Sequence, residues 1–333
     1  MKPNVVNLPE GTRVVSGAVD DTMAYAVLTW AHSLSAHGNT RPHLIIGYLD
    51  GLLSGRNRNT LTLALDFLSI SHEFVLLDRD DRFIQQGHIS PTTFTKFQLA
   101  DLIPIEHVWI DIDTVATSGW EDIFSEIASA PSRAKLVVSE RGEVATGVQG
   151  SGQQSSELAF NAGVLGWPAR PRIPWSKALD ELDLTETQEQ YLFNALYANH
   201  LRTVSERFNA LTYRYDRVDP QHRPFITHYA GAHKPWHLPR RYSRTCMGHH
   251  CPWSLWFEEE QRMLHHLQRF EHLDDIIRLQ EEALRSGNWG LAGNQRGRAL
   301  LHVLRILGPL GWVPLFLAKP FRHILPRGTH PIH

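Results

Sequence analysis

The sequence predicts an α/β fold whose ligand site lies at the carboxyl ends of its strands. Two observations carry this. Strand-like and helical apolar segments alternate through the first hundred or so residues, and one strand-like run, Ile103 to Ile110, leads directly into Asp111-Ile112-Asp113. In open α/β sheets, ligands bind just beyond that end of a strand. A chain of 333 residues, 42% of them hydrophobic, is long enough to bury a sizeable core, as one large domain with additions or as two domains.

The elements follow in order. Arg13 to Ala18 reads as a first strand. Val19-Asp20-Asp21-Thr22-Met23-Ala24-Tyr25 follows it and leads into an apolar helix through Leu34. His43 to Leu49 reads as a second strand that closes on Asp50-Gly51. Ser54 to Asn59 is a polar, basic turn before a helix from Thr60 to Leu68, and Phe74 to Leu77 is a further strand. The run from Ile103 to Ile110 is interrupted only by Pro104, Glu106 and His107 and reads as a buried strand. Residues 144–157 are rich in Gly, Ser and Gln. They read as a loop, either one that closes over a ligand or a plain surface connection. Pro168, Pro171 and Pro174 mark irregular chain. Trp253 to Arg285 is helical by pattern, with Trp256, Leu264, Leu267, Phe270 and Ile277 near one stripe, as in a core-packing or dimerising helix.

Three segments carry chemistry. In extended chain Asp111 and Asp113 face the same way, and two carboxylates that close repel unless a cation sits between them. Oxygen ligands suit a hard ion such as Mg²⁺ or Mn²⁺, and an imidazole tilts the choice toward Mn²⁺. His228, after the apolar pair Phe225-Ile226, offers that imidazole. Gly231 lets backbone approach a phosphate, Lys234 brings positive charge to it, Pro235 stiffens the loop and Trp236 anchors it. The third segment is Phe160-Asn161-Ala162-Gly163-Val164. Together the residue types fit a divalent cation held against a diphosphate.

These residues resemble glycosyltransferase family 8, the retaining galactosyl- and glucosyltransferases. Asp111 and Asp113 match its Asp-x-Asp. His228, Gly231, Lys234, Pro235 and Trp236 match its His-x-x-Gly-x-x-Lys-Pro-Trp, and Phe160 to Val164 match its Phe-Asn-(Ala/Ser)-Gly-Val. The resemblance spans roughly residues 12 to 240. It implies a GT-A, Rossmann-like catalytic domain over residues 1–240; residues 241–333 lie beyond the resemblance and read from their own pattern as a helical, basic and apolar C-terminal region. It further implies Mn²⁺ or Mg²⁺ on Asp111, Asp113 and His228, and a UDP-hexose donor, UDP-glucose or UDP-galactose. Asp20 would meet the uracil base, with Thr22 where the family has Asn. Asn161 would touch the donor sugar or the acceptor side, and Gly231 and Lys234 the diphosphate. His88 to Lys96 is similar to a helix start whose Arg contacts the donor; Lys96 keeps the charge but loses the bidentate fork. Glu189-Gln190-Tyr191 is similar to Asp-Gln-Asp, which places Glu189 near the anomeric carbon with Gln190 beside it. Arg207-Phe208-Asn209 also fits the family pattern.

Composition excludes some partners. A net charge of −2 gives no field for nucleic acid, and two cysteines make no disulfide framework. The first eleven residues lack the apolar core of a signal peptide, and no run of about 18 uncharged apolar residues occurs, so a cytoplasmic enzyme is expected. Cys246, His249, His250 and Cys251 are either zinc ligands or a reduced loop. The stretch from Leu300 to Leu317 is apolar, Arg296, Arg298, Arg305, Lys319, Arg322 and Arg327 are interspersed in and around it, and no acid lies beyond Glu282. It reads as attachment to a membrane surface, consistent with a glycan or lipid-linked acceptor at its inner face, or as a tail packed on the catalytic domain. A homo-oligomer through the C-terminal helix is compatible with the pattern. Two other functions fit part of the sequence. A nucleotidyltransferase would want a Gly-rich basic loop after its first strand, where Val14 to Asp21 offers acids. A non-catalytic sugar-nucleotide binder or membrane-surface scaffold would keep the fold without turnover.

Overall fold

A computed structural model describes residues 8–9, 11–83, 90–139, 160–169, 172–181, 189–212, 223–231, 234–237 and 253–286. The loop expected at 144–157, the Cys246–Cys251 cluster and the tail from Leu300 lie outside these residues, as do His88 and Ile89.

The main sheet has seven strands: β1 (Val14–Ala18), β2 (His43–Leu49), β3 (His72–Leu77), β4 (His107–Ile110), β6 (Leu136–Ser139), β7 (Val164–Trp167) and β8 (Leu201–Val204), in the order β3-β2-β1-β4-β7-β6-β8. β1 pairs in parallel with both β2 and β4, and β6 with β8, while β7 runs antiparallel to its neighbours β4 and β6. A small second sheet joins β5 (Thr114–Ala116), β10 (Ile226–His228) and β9 (Ala210–Leu211), with β10 in the middle. Its position follows from covalent continuity, because β5 begins one residue after Asp113 and β10 ends at His228.

Helices cover the main sheet. α1 (Ala24–Ala36) is buried along nearly its whole circumference, with Tyr25, Leu28, Trp30 and Leu34 inaccessible, as an apolar helix inside a large core must be. α2 spans Gly55–Phe67, so the polar stretch 54–59 expected as a turn is the helix's first turn instead. The reason is capping. The Ser54 hydroxyl accepts from the Asn57 amide, while Asp21 Oδ1 accepts from the Ser54 amide at 2.9 Å, its hydroxyl at 3.1 Å and Asn57 Nδ2 at 2.9 Å. Of the two adjacent acids, Asp21 is thus committed to this helix start.

α3 (Thr95–Leu102) ends at Ile103, so the buried strand read from Ile103 onward is only β4, the four residues before Asp111. Pro104 and the helix cap take up the rest. α4 (Asp122–Ala128), α5 (Ser176–Glu181) and α6 (Glu189–Tyr197) are the further helices described before the C-terminal region. The expected long C-terminal helix is two, α7 (Ser254–His266) and α8 (Leu273–Ser286), separated by a short 3-10 turn and Phe270. The break resets the stripe. Trp256, Leu267 and Phe270 are buried as expected, but Ile277 is exposed and Ile276, Leu279 and Ala283 face the core in its place. These helices belong to the same apolar cluster as α1. Among the described residues no helix is long and apolar enough to cross a membrane.

Candidate active site

The site is assembled at one rim of the main sheet. Asp111 and Asp113 follow β4 in a turn, not in the extended chain expected from their spacing. The turn is fixed because the Asp111 amide donates to the Gly163 carbonyl at 2.8 Å, and the Thr114 hydroxyl donates to the Asp111 carbonyl at 2.8 Å. It still brings both carboxylates to one place. His228, at the end of β10, puts Nε2 3.3 Å from Asp113 Oδ1 and 3.9 Å from Asp111 Oδ2. One donor atom from each of the three residues lies within 4.8 Å of the others.

The two acids share a plan. On Asp111, Oδ1 accepts from the Trp109 indole at 2.7 Å and lies 3.2 Å from Lys96 Nζ. On Asp113, Oδ2 accepts from Lys234 Nζ. Asp111 Oδ2, which also accepts from Lys96 Nζ at 3.4 Å, and Asp113 Oδ1 are the oxygens nearest the imidazole. Two carboxylate oxygens and one imidazole nitrogen therefore converge, which suits a hard or borderline divalent ion of the Mg²⁺ or Mn²⁺ kind.

The electrostatics follow from burial and neighbours. Burial and Asp113 push the Asp111 carboxyl up and Lys96 pulls it down, leaving it above its ordinary value. For Asp113 burial is outweighed by Lys234 and His228, which hold it well below the usual carboxylate range. Lys96 is 1% exposed; its desolvation is outweighed by Asp111 and Glu189, so its ammonium is stabilised. It donates to Glu189 Oε1 at 3.1 Å and to the Ala162 carbonyl at 3.0 Å. Lys96 thus bridges the acid pair and the start of α6.

A ladder of amides forms the opposite wall. Asn161 Oδ1 accepts from the Gly163 amide at 2.9 Å and from Asn209 Nδ2 at 2.9 Å, and Asn161 Nδ2 donates to Gln190 Oε1 at 3.2 Å. Asn209 Oδ1 stands 2.8 Å from His228 Nδ1. Gly163 lies under the imidazole, where a Cβ would come within 2.2 Å of His228 Cε1.

No known protein family and no curated protein matches the chain by sequence. Solved structures match by shape. The galactosyltransferase LgtC, in complex with donor and acceptor sugar analogues, has a TM-score of 0.59 at 21% identity, over 79% of this chain and 99% of that one. An active-site mutant of LgtC gives the same TM-score at 20% identity, over 75% and 95%. This chain has the GT-A glycosyltransferase fold. The bifunctional glycosyltransferase WbbM aligns at TM-score 0.55 and 14% identity, over 84% of this chain and 53% of its own.

The remaining residues picked out by sequence take their places on this GT-A frame. Asp20, at the end of β1, is buried. Its Oδ1 accepts from the Thr22 amide at 3.0 Å and hydroxyl at 2.6 Å, and its Oδ2 from the Thr92 hydroxyl at 3.4 Å. Thr92 lies in the short 3-10 turn that leads into α3, which carries Lys96, so Asp20 and the acid pair are connected through one structural segment. Gly231 does not pack on these groups. It supplies a backbone φ of +103°, which favours glycine, in the turn between His228 and Lys234. Behind that turn Trp236 is buried, tilted against Trp256 of α7 at 4.7 Å between ring centroids, and Tyr229 meets Trp256 edge-on at 5.6 Å. The C-terminal helices therefore buttress the loop that holds Lys234. In the sequence Trp109 is marked only as a strand residue, and Asn209 only as part of the Arg207-Phe208-Asn209 pattern. The strand period was the available signal for Trp109, since residues 109 and 111 share a face.

Proposed function

We propose that this protein is a metal-dependent retaining hexosyltransferase that moves a hexose from a UDP-sugar, UDP-glucose or UDP-galactose, to the hydroxyl of a glycan or lipid-linked acceptor. The observation that carries the reading is the convergence of Asp111, Asp113 and His228 beside Lys234 at the rim of a GT-A sheet.

In this reading Asp20 addresses the base with Oδ2, whose partner among the described residues is the Thr92 hydroxyl at 3.4 Å, whereas Oδ1 already takes both the amide and the hydroxyl of Thr22. Asp111, Asp113 and His228 would hold Mn²⁺ or Mg²⁺, which when bound neutralises charge on the departing diphosphate. Lys234 exchanges Asp113 for a phosphate oxygen, a short reach for an unbranched ammonium whose present partners are that carboxylate and the Tyr229 carbonyl. Asn161 and Gln190 line the sugar side. Glu189, kept in place by Lys96, faces the positive charge that grows at the anomeric carbon. The chain's likeness to LgtC, whose crystals held donor and acceptor sugar analogues, supports a sugar donor and a sugar acceptor.

The test is incubation of the full chain with UDP-glucose or UDP-galactose and Mn²⁺, with and without sugar acceptors, while free UDP is followed. UDP release that needs the metal and disappears in Asp113→Asn supports the transferase. Tight donor binding without release under every acceptor would instead identify a sugar-nucleotide binder, and conversion of the UDP-sugar to UTP and hexose 1-phosphate on adding pyrophosphate would identify a nucleotidyltransferase.

A further inference from the structure

We propose that Asn209 is a positioning residue that fixes which nitrogen of His228 faces the acid pair, and that one backbone amide, Gly163 N–H, sets the direction of the whole amide ladder. The inference deepens the metal-dependent reading above and rests on it for its functional meaning, though not for its geometry.

The argument is one of donors and acceptors. A backbone N–H can only donate, so the atom 2.9 Å from the Gly163 nitrogen has to be the Asn161 oxygen. Fixing that oxygen fixes the rest of Asn161, and its Nδ2 is the atom presented to Gln190, which must answer with Oε1. In the other direction, Asn209 approaches the same Asn161 oxygen at 2.9 Å and the Asn161 carbonyl at 3.3 Å. Both are acceptors, so Asn209 has to present Nδ2 to them. Its Oδ1 is then left facing His228 Nδ1 at 2.8 Å, and an oxygen without hydrogen there demands that Nδ1 carry one.

The consequence at the imidazole is specific. In the neutral ring a hydrogen on Nδ1 leaves Nε2 as the lone pair, and Nε2 is the nitrogen that lies 3.3 Å from Asp113 and 3.9 Å from Asp111. A ligating histidine commonly has its other nitrogen held by an oxygen in this way. Here the oxygen comes from an amide whose own orientation is set two residues away along the ladder. The ring cannot escape by rotation, because His228 and Asn209 are both nearly inaccessible and Gly163 closes one face. At the other end the same polarity commits Gln190 Oε1 to Asn161 and leaves Nε2, a pure donor, for an acceptor oxygen. One main-chain donor thus specifies an acceptor for a cation at one end and a donor for a sugar oxygen at the other.

The test uses the full chain, ¹⁵N-labelled at histidine, and two variants, Asn209→Leu and Asn209→Asp. Long-range ¹H–¹⁵N spectra of the metal-free protein, taken where the rings are neutral, report which His228 nitrogen carries hydrogen, with His228→Gln assigning the signal. Mn²⁺ titration followed by electron spin resonance reports affinity. The expected result is a single Nδ1–H tautomer in the wild type. Asn209→Asp, which still offers an oxygen to Nδ1 but gives up the Nδ2 donor that Asn161 accepts, keeps the Nδ1–H tautomer while losing the link to Asn161. Asn209→Leu gives a mixture or the other tautomer and weakens Mn²⁺ about 10- to 100-fold, as loss of a ligand's outer partner does. An Nε2–H tautomer in the wild type, or an unchanged tautomer and affinity in Asn209→Leu, overturns the proposal. Should Asn209→Leu not fold, loss of the Nδ1–H tautomer in Asn209→Asp overturns it as well. A wild type that shows the expected tautomer but binds no Mn²⁺ supports the polarity and overturns the metal-dependent reading instead, so the two can fail separately.

Discussion

Replacing Gly163 by alanine adds one methyl group at the most crowded point of the site. The new Cβ would lie 2.2 Å from Cε1 and 2.4 Å from Nδ1 of His228, and 2.9 Å from Asn161 Oδ1. Moving Cε1 from 2.2 Å to an ordinary 3.4 Å contact requires a retreat of about 1.2 Å. The backbone of His228 cannot supply it, since β10 is paired on both sides, to β5 and to β9. The ring would have to swing, breaking the 2.8 Å contact to Asn209 and carrying Nε2 off the acid pair. Overpacking of this kind costs about 1–3 kcal/mol of stability. A displacement near 1 Å in a catalytic constellation costs on the order of 100-fold in rate. Gly163→Ala is therefore expected to lose about 1–3 kcal/mol of unfolding free energy in urea and to lose Mn²⁺ affinity and metal-dependent UDP release by about 10-fold or more. Both are measurable on one preparation by urea titration, electron spin resonance and a UDP assay. Wild-type stability together with wild-type Mn²⁺ binding would refute the placement of the imidazole against residue 163.

Three further outcomes follow from the same contacts. Lys96→Met leaves the half-buried Asp111 and the buried Glu189 carboxylates without their shared ammonium and should cost about 3–5 kcal/mol in urea unfolding, whereas Lys96→Arg, which keeps the charge, should cost clearly less; equal losses would contradict the ion-pair account. Trp256→Ala removes the surface on which Trp236 and Tyr229 rest. It should lower stability by about 3–5 kcal/mol and weaken Mn²⁺ binding from a distance, and an effect below about 1 kcal/mol would show that α7 does not support the loop. Glu259 of α7 is fully buried against His32 Nδ1 at 2.6 Å, His37 Nε2 at 3.0 Å and Arg262 at 2.8 Å. Burial alone would raise its carboxyl, but the hydrogen bonds from His32 and His37 outweigh it and depress it. A depressed carboxyl adds stability that is complete above its ordinary value of 4.5 and is lost as pH falls below that. Urea midpoints should accordingly drop on acidification from neutral pH to about pH 3, and Glu259→Gln should flatten that drop; parallel pH curves for the two proteins would count against it.

The fold and the acid pair were legible because local patterns encode them. The strands β1, β2 and β4 are apolar runs with sharp polar ends, and Asp111 and Asp113 stand where one of them stops. The spacing misled on geometry, since the chain turns after Ile110; the carboxylates converge through the Gly163 carbonyl and not through extended backbone. The polar start of α2 was misread because capping by Ser54 and Asp21 depends on a residue from a different loop. The partners of Lys96 were illegible for the same reason: Glu189, Ala162 and Asp111 meet it only once β4, β7 and α6 are stacked. Asn209 carries no local mark that separates it from any asparagine at the end of a short turn.

The lone reversed strand of the main sheet has a consequence for how such a protein is scanned. In β1 and β4 the candidate site residues come after the apolar run, because the chain exits at the edge where they gather. β7 travels the other way, so the chain enters there, and Asn161 and Gly163 precede Val164 instead of following Trp167. A search that looks only downstream of hydrophobic segments would find the acids and overlook the amide and the glycine that face them.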